Sequence, residues 1–74
     1  MQIPSEFRLQ FAEILDIEIE EVTSNLVLDD GNWDSLAVVS TAILIDTHYK
    51  KTVDGEDLVN CKSFDALISL IERS

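Results

Sequence analysis

Apolar positions recur at helical spacing near both ends of the chain and crowd together in its middle. Phe7, Phe11, Ile14 and Leu15 follow one another every three to four residues, which is the mark of one buried helix face. A helix over about residues 5–16 is predicted, with Ser5 after Pro4 as its N-cap, Glu6 at the positive dipole end, and Glu13 and Asp16 facing water. At the other end, Phe64, Leu67, Ile68 and Ile71 repeat at the same spacing behind Ser63, a second expected cap. Asp65 and Arg73 carry the signs favoured at the start and end of that helix. In the middle, Asp34 is placed to cap a helix running through about Tyr49. Its apolar residues form two rows, Leu36, Val39 and Ile43 beside Val38, Ala42, Ile45 and Tyr49, so a wide face at the centre of a bundle is expected. Lys50 and Lys51 close it at the negative dipole end.

Between Ile17 and Trp33 the periodicity disappears, and acidic residues alternate with Ile19, Val22, Leu26, Val27 and Leu28. Ile17-Glu18-Ile19-Glu20 imitates a strand, but no second alternating segment exists to pair with it. A long connection pinned to the core by its apolar residues is expected instead. Such connections are uncommon in compact domains and often functional. Val53 to Val59 forms a short helical segment capped by Asp54. The pattern predicts an all-α fold of one domain over residues 1–74: a small antiparallel bundle of three main helices and a short third one, with a long first loop.

Charge narrows the range of partners. The 15 acidic and 5 basic residues give a formal charge of −10, which opposes nucleic-acid binding because phosphate contacts need clustered Lys and Arg. No Lys or Arg occurs from Leu9 through Tyr49, whereas nine acidic residues do. A basic protein partner, drawn in by electrostatic steering, suits that field, although an acidic surface also serves solubility alone. The single Cys61 excludes an internal disulfide and suits a reducing compartment. Met1-Gln2-Ile3-Pro4-Ser5-Glu6 lacks a basic and then apolar leader, and no apolar run is long enough to span a bilayer, so a cytoplasmic monomer with no membrane partner is expected.

Three constellations invite chemistry. Asp30, Asn32 and Asp34 alternate like the start of a helix-flanked calcium loop, but Ser35 stands where that loop requires Gly and Thr41 where it requires a bidentate Glu. Ser35 as a hydrolytic nucleophile needs a base, and His48, the only histidine, lies 13 positions away, about 20 Å along one helix. Cys61 fits a small buried hydrophobe better than a nucleophile. No catalytic residue and no metal site are therefore expected. Ser35 remains: as a residue at a helix start it is commonplace, but backbone N–H groups and the dipole there would also favour a phosphate attached to its hydroxyl.

Asp34-Ser35-Leu36 at the head of an apolar helix, after a long loop in an acidic chain of this length, resembles the acyl carrier protein family. The likeness covers nearly the whole chain: Val22-Thr23-Ser24-Asn25-Leu26 resembles the loop before the site, Val53 to Leu58 the short third helix, and Ser63-Phe64-Asp65-Ala66-Leu67 the start of the last one. The resemblance implies a non-enzymatic carrier whose Ser35 receives 4′-phosphopantetheine from coenzyme A through a magnesium-dependent phosphopantetheinyl transferase. Acyl or aminoacyl groups would then travel as thioesters between loading and accepting enzymes of fatty-acid, secondary-metabolite or cell-surface glycan synthesis. It further implies that Asp34 assists the transferase and its metal, that Leu36 borders the arm, and that Trp33, Leu36, Ala37, Val39 and Ser40 meet partners.

Two departures bear on partner choice. Ala37, Ser40, Thr41 and Thr47 occupy much of the surface that is acidic in fatty-acid carriers, leaving Asp46. Trp33 replaces the small residue usual before the Asp, and Trp-Asp-Ser-Leu resembles specialised stand-alone carriers. The alternatives are an unmodified acidic helical interaction module with Trp33 as its anchor, and, more distantly, a divalent-cation-binding protein.

Overall fold

The computed structural model describes residues 3–74; Met1 and Gln2, the start of the segment without leader character, lie outside the described residues. Helix α1 spans Ser5–Leu15. Its N-cap is Pro4, whose carbonyl accepts from the Arg8 N–H at 3.2 Å. Ser5, expected to cap, is instead the first helical residue, and no side chain caps this end. The proline explains the shift: its ring fixes φ (here −57°) at a value compatible with helix entry, so the turn begins without a polar side chain. At the other end Asp16 adopts a left-handed conformation (φ 58°). Its N–H meets Glu13 O and that of Ile17 meets Ala12 O at 3.0 Å, a paired closure that satisfies two otherwise orphaned carbonyls.

The connection from Asp16 to Asp34 is ordered by several devices. Ile19–Glu21 forms a 3₁₀ turn in which Glu21 Oε2 accepts from the Glu18 N–H at 2.9 Å, a reciprocal capping box that the alternating pattern did not suggest. Arg8 Nη2 donates to Val22 O at 2.9 Å, tying α1 to the loop. Val22 and Leu28 are buried as expected, but Val27 faces solvent. That residue sits in an isolated antiparallel bridge to Ser63: Leu28 N–H donates to Lys62 O and Phe64 N–H to Leu26 O, each at 2.9 Å. No strand longer than this bridge occurs among the described residues.

Helix α2 spans Ser35–Tyr49, α3 Gly55–Val59 and α4 Phe64–Arg73. Asp34, Asp54 and Ser63 are their N-caps, accepting from Ala37, Glu56 and Ala66 N–H groups at 2.8, 2.8 and 3.1 Å, as the sequence predicts. A mostly helical fold of four helices results, with no helix long and apolar enough to cross a membrane among the described residues. Lys51 does not close α2: its ammonium donates to Ile71 O at 2.9 Å, at the negative end of α4.

One core joins the elements. Phe11 is its hub, with ring centroids 6.3 Å from Phe7, 5.2 Å from Phe64 and 5.9 Å from Trp33. Helix α2 contributes Ala37, Val38, Leu44, Ile45 and the fully buried Thr41. The expected double-width face is therefore corrected: Leu36, Val39 and Ile43 are 74, 57 and 64% exposed. This helix is apolar around most of its circumference, so periodicity alone does not say which side the neighbours cover.

Two hydroxyls in this core, Thr41 Oγ1 and Tyr49 Oη, are buried without a partner among the described residues. Tyr49 lies edge-on to Phe7, with centroids 5.4 Å apart, and burial raises its pKa. The neutral phenol is thus favoured by folding, so this contribution is present below the unfolded pKa and is lost as pH climbs through the folded one. Tyr49 is the only tyrosine, so tyrosinate absorbance follows it alone. The expected alkaline midpoint lies higher in the folded protein than in urea, with stability falling over that window; equal midpoints would refute it.

Candidate functional site

The turn ahead of α2 is built from its own side chains. Asp29 Oδ1 accepts from the Gly31 N–H at 2.9 Å, Asn32 Oδ1 from the Asp29 N–H at 3.0 Å, and Asn32 Nδ2 donates to Val27 O at 3.0 Å. A Cβ on Gly31 would meet Asp29 Oδ1 at 3.2 Å, tighter than ordinary contact, so glycine lets the carboxylate lie against the backbone. The Trp33 N–H closes the turn on Asp29 O at 2.7 Å. Local polar groups of this kind fix a turn without neighbours. They also engage Asn32, so the alternating Asp30, Asn32 and Asp34 do not form a shared oxygen cage. No group of three or more His, Cys, Asp or Glu residues converges among the described residues.

Trp33 anchors this turn from below. Its side chain is buried at 8% exposure, and its indole Nε1 donates to Leu58 O in α3 at 3.0 Å, 25 positions along the chain. The expectation that Trp33 meets a partner is corrected: the ring is part of the core and satisfies a carbonyl in the last turn of α3. Ala37 is likewise buried rather than partner-facing, and Thr41 is absent from the outer surface of α2. Ser40 is half-buried, while Leu36 and Val39 face solvent.

Ser35 is exposed at the first position of α2. Asp34 holds that end through its bond to the Ala37 N–H, whereas the N–H groups of Ser35 and Leu36 meet no protein acceptor among the described residues. Two free donors and the dipole's positive end beside an exposed hydroxyl suit an ester-linked phosphate. The neighbouring Asp34 and Asp30 carboxylates are also exposed, and their repulsion of a phosphate is eased by a divalent cation.

His48 and Cys61 lie elsewhere. His48 Nε2 pairs with Gln10 Oε1 at 2.7 Å, and its ring stands edge-on to Phe7 with centroids 5.6 Å apart, at the α1–α2 contact. Cys61 is buried, with Sγ donating to Asp57 O at 3.5 Å. Burial pushes its thiol upward, only partly countered by Arg73, so little thiolate forms.

Among the described residues, clefts open on two sides of the surface. One of about 600 Å³ lies among Arg8, Val22, Thr23, Phe64 and Ile68, with no lining residue from the turn or α2. The other, about 280 Å³, is lined by Ala42, Ile43, Asp46, Thr52 and Val53 beside the exposed row of α2. Periodicity places Ile43 in the core; its actual place on an open surface depends on how α1 and α3 cover the opposite side of α2. Neither a family model nor a curated protein sequence matches the chain.

Proposed function

We propose that the protein is a carrier that bears 4′-phosphopantetheine on Ser35 and shuttles thioester-bound acyl or aminoacyl groups between enzymes. The observation that carries this reading is the exposed Ser35 at the head of α2, presented by a self-bonded turn beside backbone donors that meet no acceptor among the described residues. The Asp34-Ser35-Leu36 resemblance supports it from the sequence side.

In this reading the Ser35 hydroxyl becomes the ester oxygen when a transferase moves the group from coenzyme A. Asp34 has two tasks: one carboxylate oxygen keeps the first turn closed through Ala37, and its charge attracts the transferase's magnesium ion. The Ser35 and Leu36 N–H groups stabilise the resulting phosphodiester. The arm supplies a terminal thiol that holds the cargo as a thioester. Leu36 and Val39 border its base and meet the enzymes that load or accept cargo.

Co-expression with a broad-specificity phosphopantetheinyl transferase, followed by intact-mass measurement, tests the assignment. Mass gain is expected in the native chain and none in Ser35→Ala. No gain, or equal gain in the variant, refutes it. The exposed row Leu36, Val39 and Ile43 would also serve an unmodified interaction module. That reading separates itself by leaving partner function intact in Ser35→Ala.

A further inference from the structure

The chain contains two Asp–Gly bonds, Asp30-Gly31 and Asp54-Gly55. Such a bond is the least hindered place for a backbone nitrogen to attack the carboxyl carbon of the preceding side chain, because glycine puts no Cβ beside that nitrogen. The fold treats the two bonds differently. Asp54 is the N-cap of α3: its Oδ1 accepts from the Glu56 N–H at 2.8 Å, and Gly55 is already the first helical residue. That carboxyl must leave the cap before it can meet the Gly55 nitrogen. The Asp30 carboxyl is exposed and has no partner among the described residues, so it can turn toward Gly31 without giving up a bond.

Asp29 meets a second requirement. A peptide nitrogen attacks only as its proton leaves, and Asp29 Oδ1 already accepts the Gly31 N–H at 2.9 Å. The turn holds this oxygen in place: the Asp29 N–H donates to Asn32 Oδ1 at 3.0 Å, and Asp29 O accepts from the Trp33 N–H at 2.7 Å. A Cβ at position 31 would press on the same oxygen at 3.2 Å. The Gly55 N–H has no such acceptor among the described residues.

We propose that Asp30 is a self-modification site, at which the chain isomerises from aspartyl to isoaspartyl through a cyclic imide with Asp29 as the proton acceptor. The Gly31 nitrogen bonds to Asp30 Cγ, and its proton passes to the Asp29 carboxylate. The bond from Cγ to the hydroxyl of the protonated Asp30 carboxyl breaks, and that hydroxyl leaves as water with the proton returned by Asp29. Nothing is oxidised or reduced. Water then adds to one of the two ring carbonyls: opening at Cγ restores Asp30, and opening at the main-chain carbon leaves isoaspartate, whose backbone is one atom longer. The added atom falls inside the turn that the Trp33 N–H closes on Asp29 O, so the bonds that set the approach to Ser35 cannot all persist.

The unmodified full chain is incubated for days at mildly acidic pH, folded and in guanidinium chloride. Loss of one water in the intact mass reports the imide, and peptide mapping with electron-transfer fragmentation separates isoaspartate from Asp. In the folded chain Asp30 is expected to isomerise about fivefold faster than Asp54, the ordinary strength of a helix cap expressed as a rate. In guanidinium chloride the two rates should converge. Asp29→Asn keeps an oxygen for the Gly31 N–H but cannot take its proton, so it should slow Asp30 by about ten- to a hundredfold, the low end of what a positioned proton acceptor contributes. Backbone amide spectra of that variant should show the turn unchanged.

Absence of isoaspartate at Asp30, equal or faster reaction at Asp54 in the folded chain, or the same ratio of rates in guanidinium chloride overturns the proposal. An unchanged rate in Asp29→Asn, or a slowing accompanied by loss of the turn's amide pattern, overturns the role given to Asp29. None of these measurements involves loading of Ser35, so failure here is distinct from failure of the carrier reading.

Discussion

Trp33→Ala is expected to remove about 3–5 kcal/mol of stability, the usual cost of truncating a buried aromatic side chain. Three losses combine at this position. The ring's contact with Phe11 goes, Leu58 O loses its indole donor, and a cavity opens between the turn and α3. A domain of this size has about 4–11 kcal/mol in total, so much of the fold's reserve disappears. Trp33→Phe should cost less, because much of the apolar volume stays while the hydrogen bond is lost. Urea denaturation followed by circular dichroism measures both. A loss of less than about 1 kcal/mol in Trp33→Ala would show that the indole is not a structural anchor.

Thr41→Val has the opposite sign. Thr41 is fully buried on the inner face of α2, and its hydroxyl has no partner among the described residues. An unmet buried hydroxyl costs about 1–3 kcal/mol. Valine retains the shape, and its helix propensity is close to that of threonine. The variant should therefore gain about 1–2 kcal/mol, or about 4–8 °C in Tm for each kcal/mol. Thr41→Ser should lose stability, since it keeps the polar atom and removes a methyl group. If Thr41→Val melts at or below the parent temperature, the hydroxyl has a partner in solution, such as a buried water, and the energetic account of this position fails.

Much of the secondary structure is legible in the sequence because its determinants are local. Asp34, Asp54 and Ser63 cap by bonding an N–H two or three residues onward, so the residue type and the following apolar pattern suffice. Ser5 shows how that logic fails: with Pro4 fixing the chain's entry, a serine one position later has no capping task. Val27 fails differently, because it sits in a bridge to Ser63, a residue 36 positions along the chain (63 − 27) that no local pattern announces.

The site divides along the same line. The position of Ser35 at the start of α2 is set by Asp34 next to it and could be read directly. The role of Trp33 could not, since its hydrogen bond reaches Leu58 and no periodic pattern surrounds it. Helix α2 carries apolar residues around most of its circumference. With apolar residues on nearly every side, the division into a buried Val38–Thr41–Ile45 side and an open Leu36–Val39–Ile43 side is decided by the neighbours. Ala37, which the sequence resemblance places outside, lies inside for that reason.

The bond between Trp33 and Leu58 has an optical consequence. This indole is the only one in the chain, and its emission depends on whether the ring is enclosed or wetted. It touches the first core helix, donates to the short third helix, and directly precedes the cap of the second. Loosening of the third helix, by heat or by denaturant, must alter the surroundings of that single fluorophore. The molecule thus contains its own label for any displacement of the third helix from the turn that leads into Ser35.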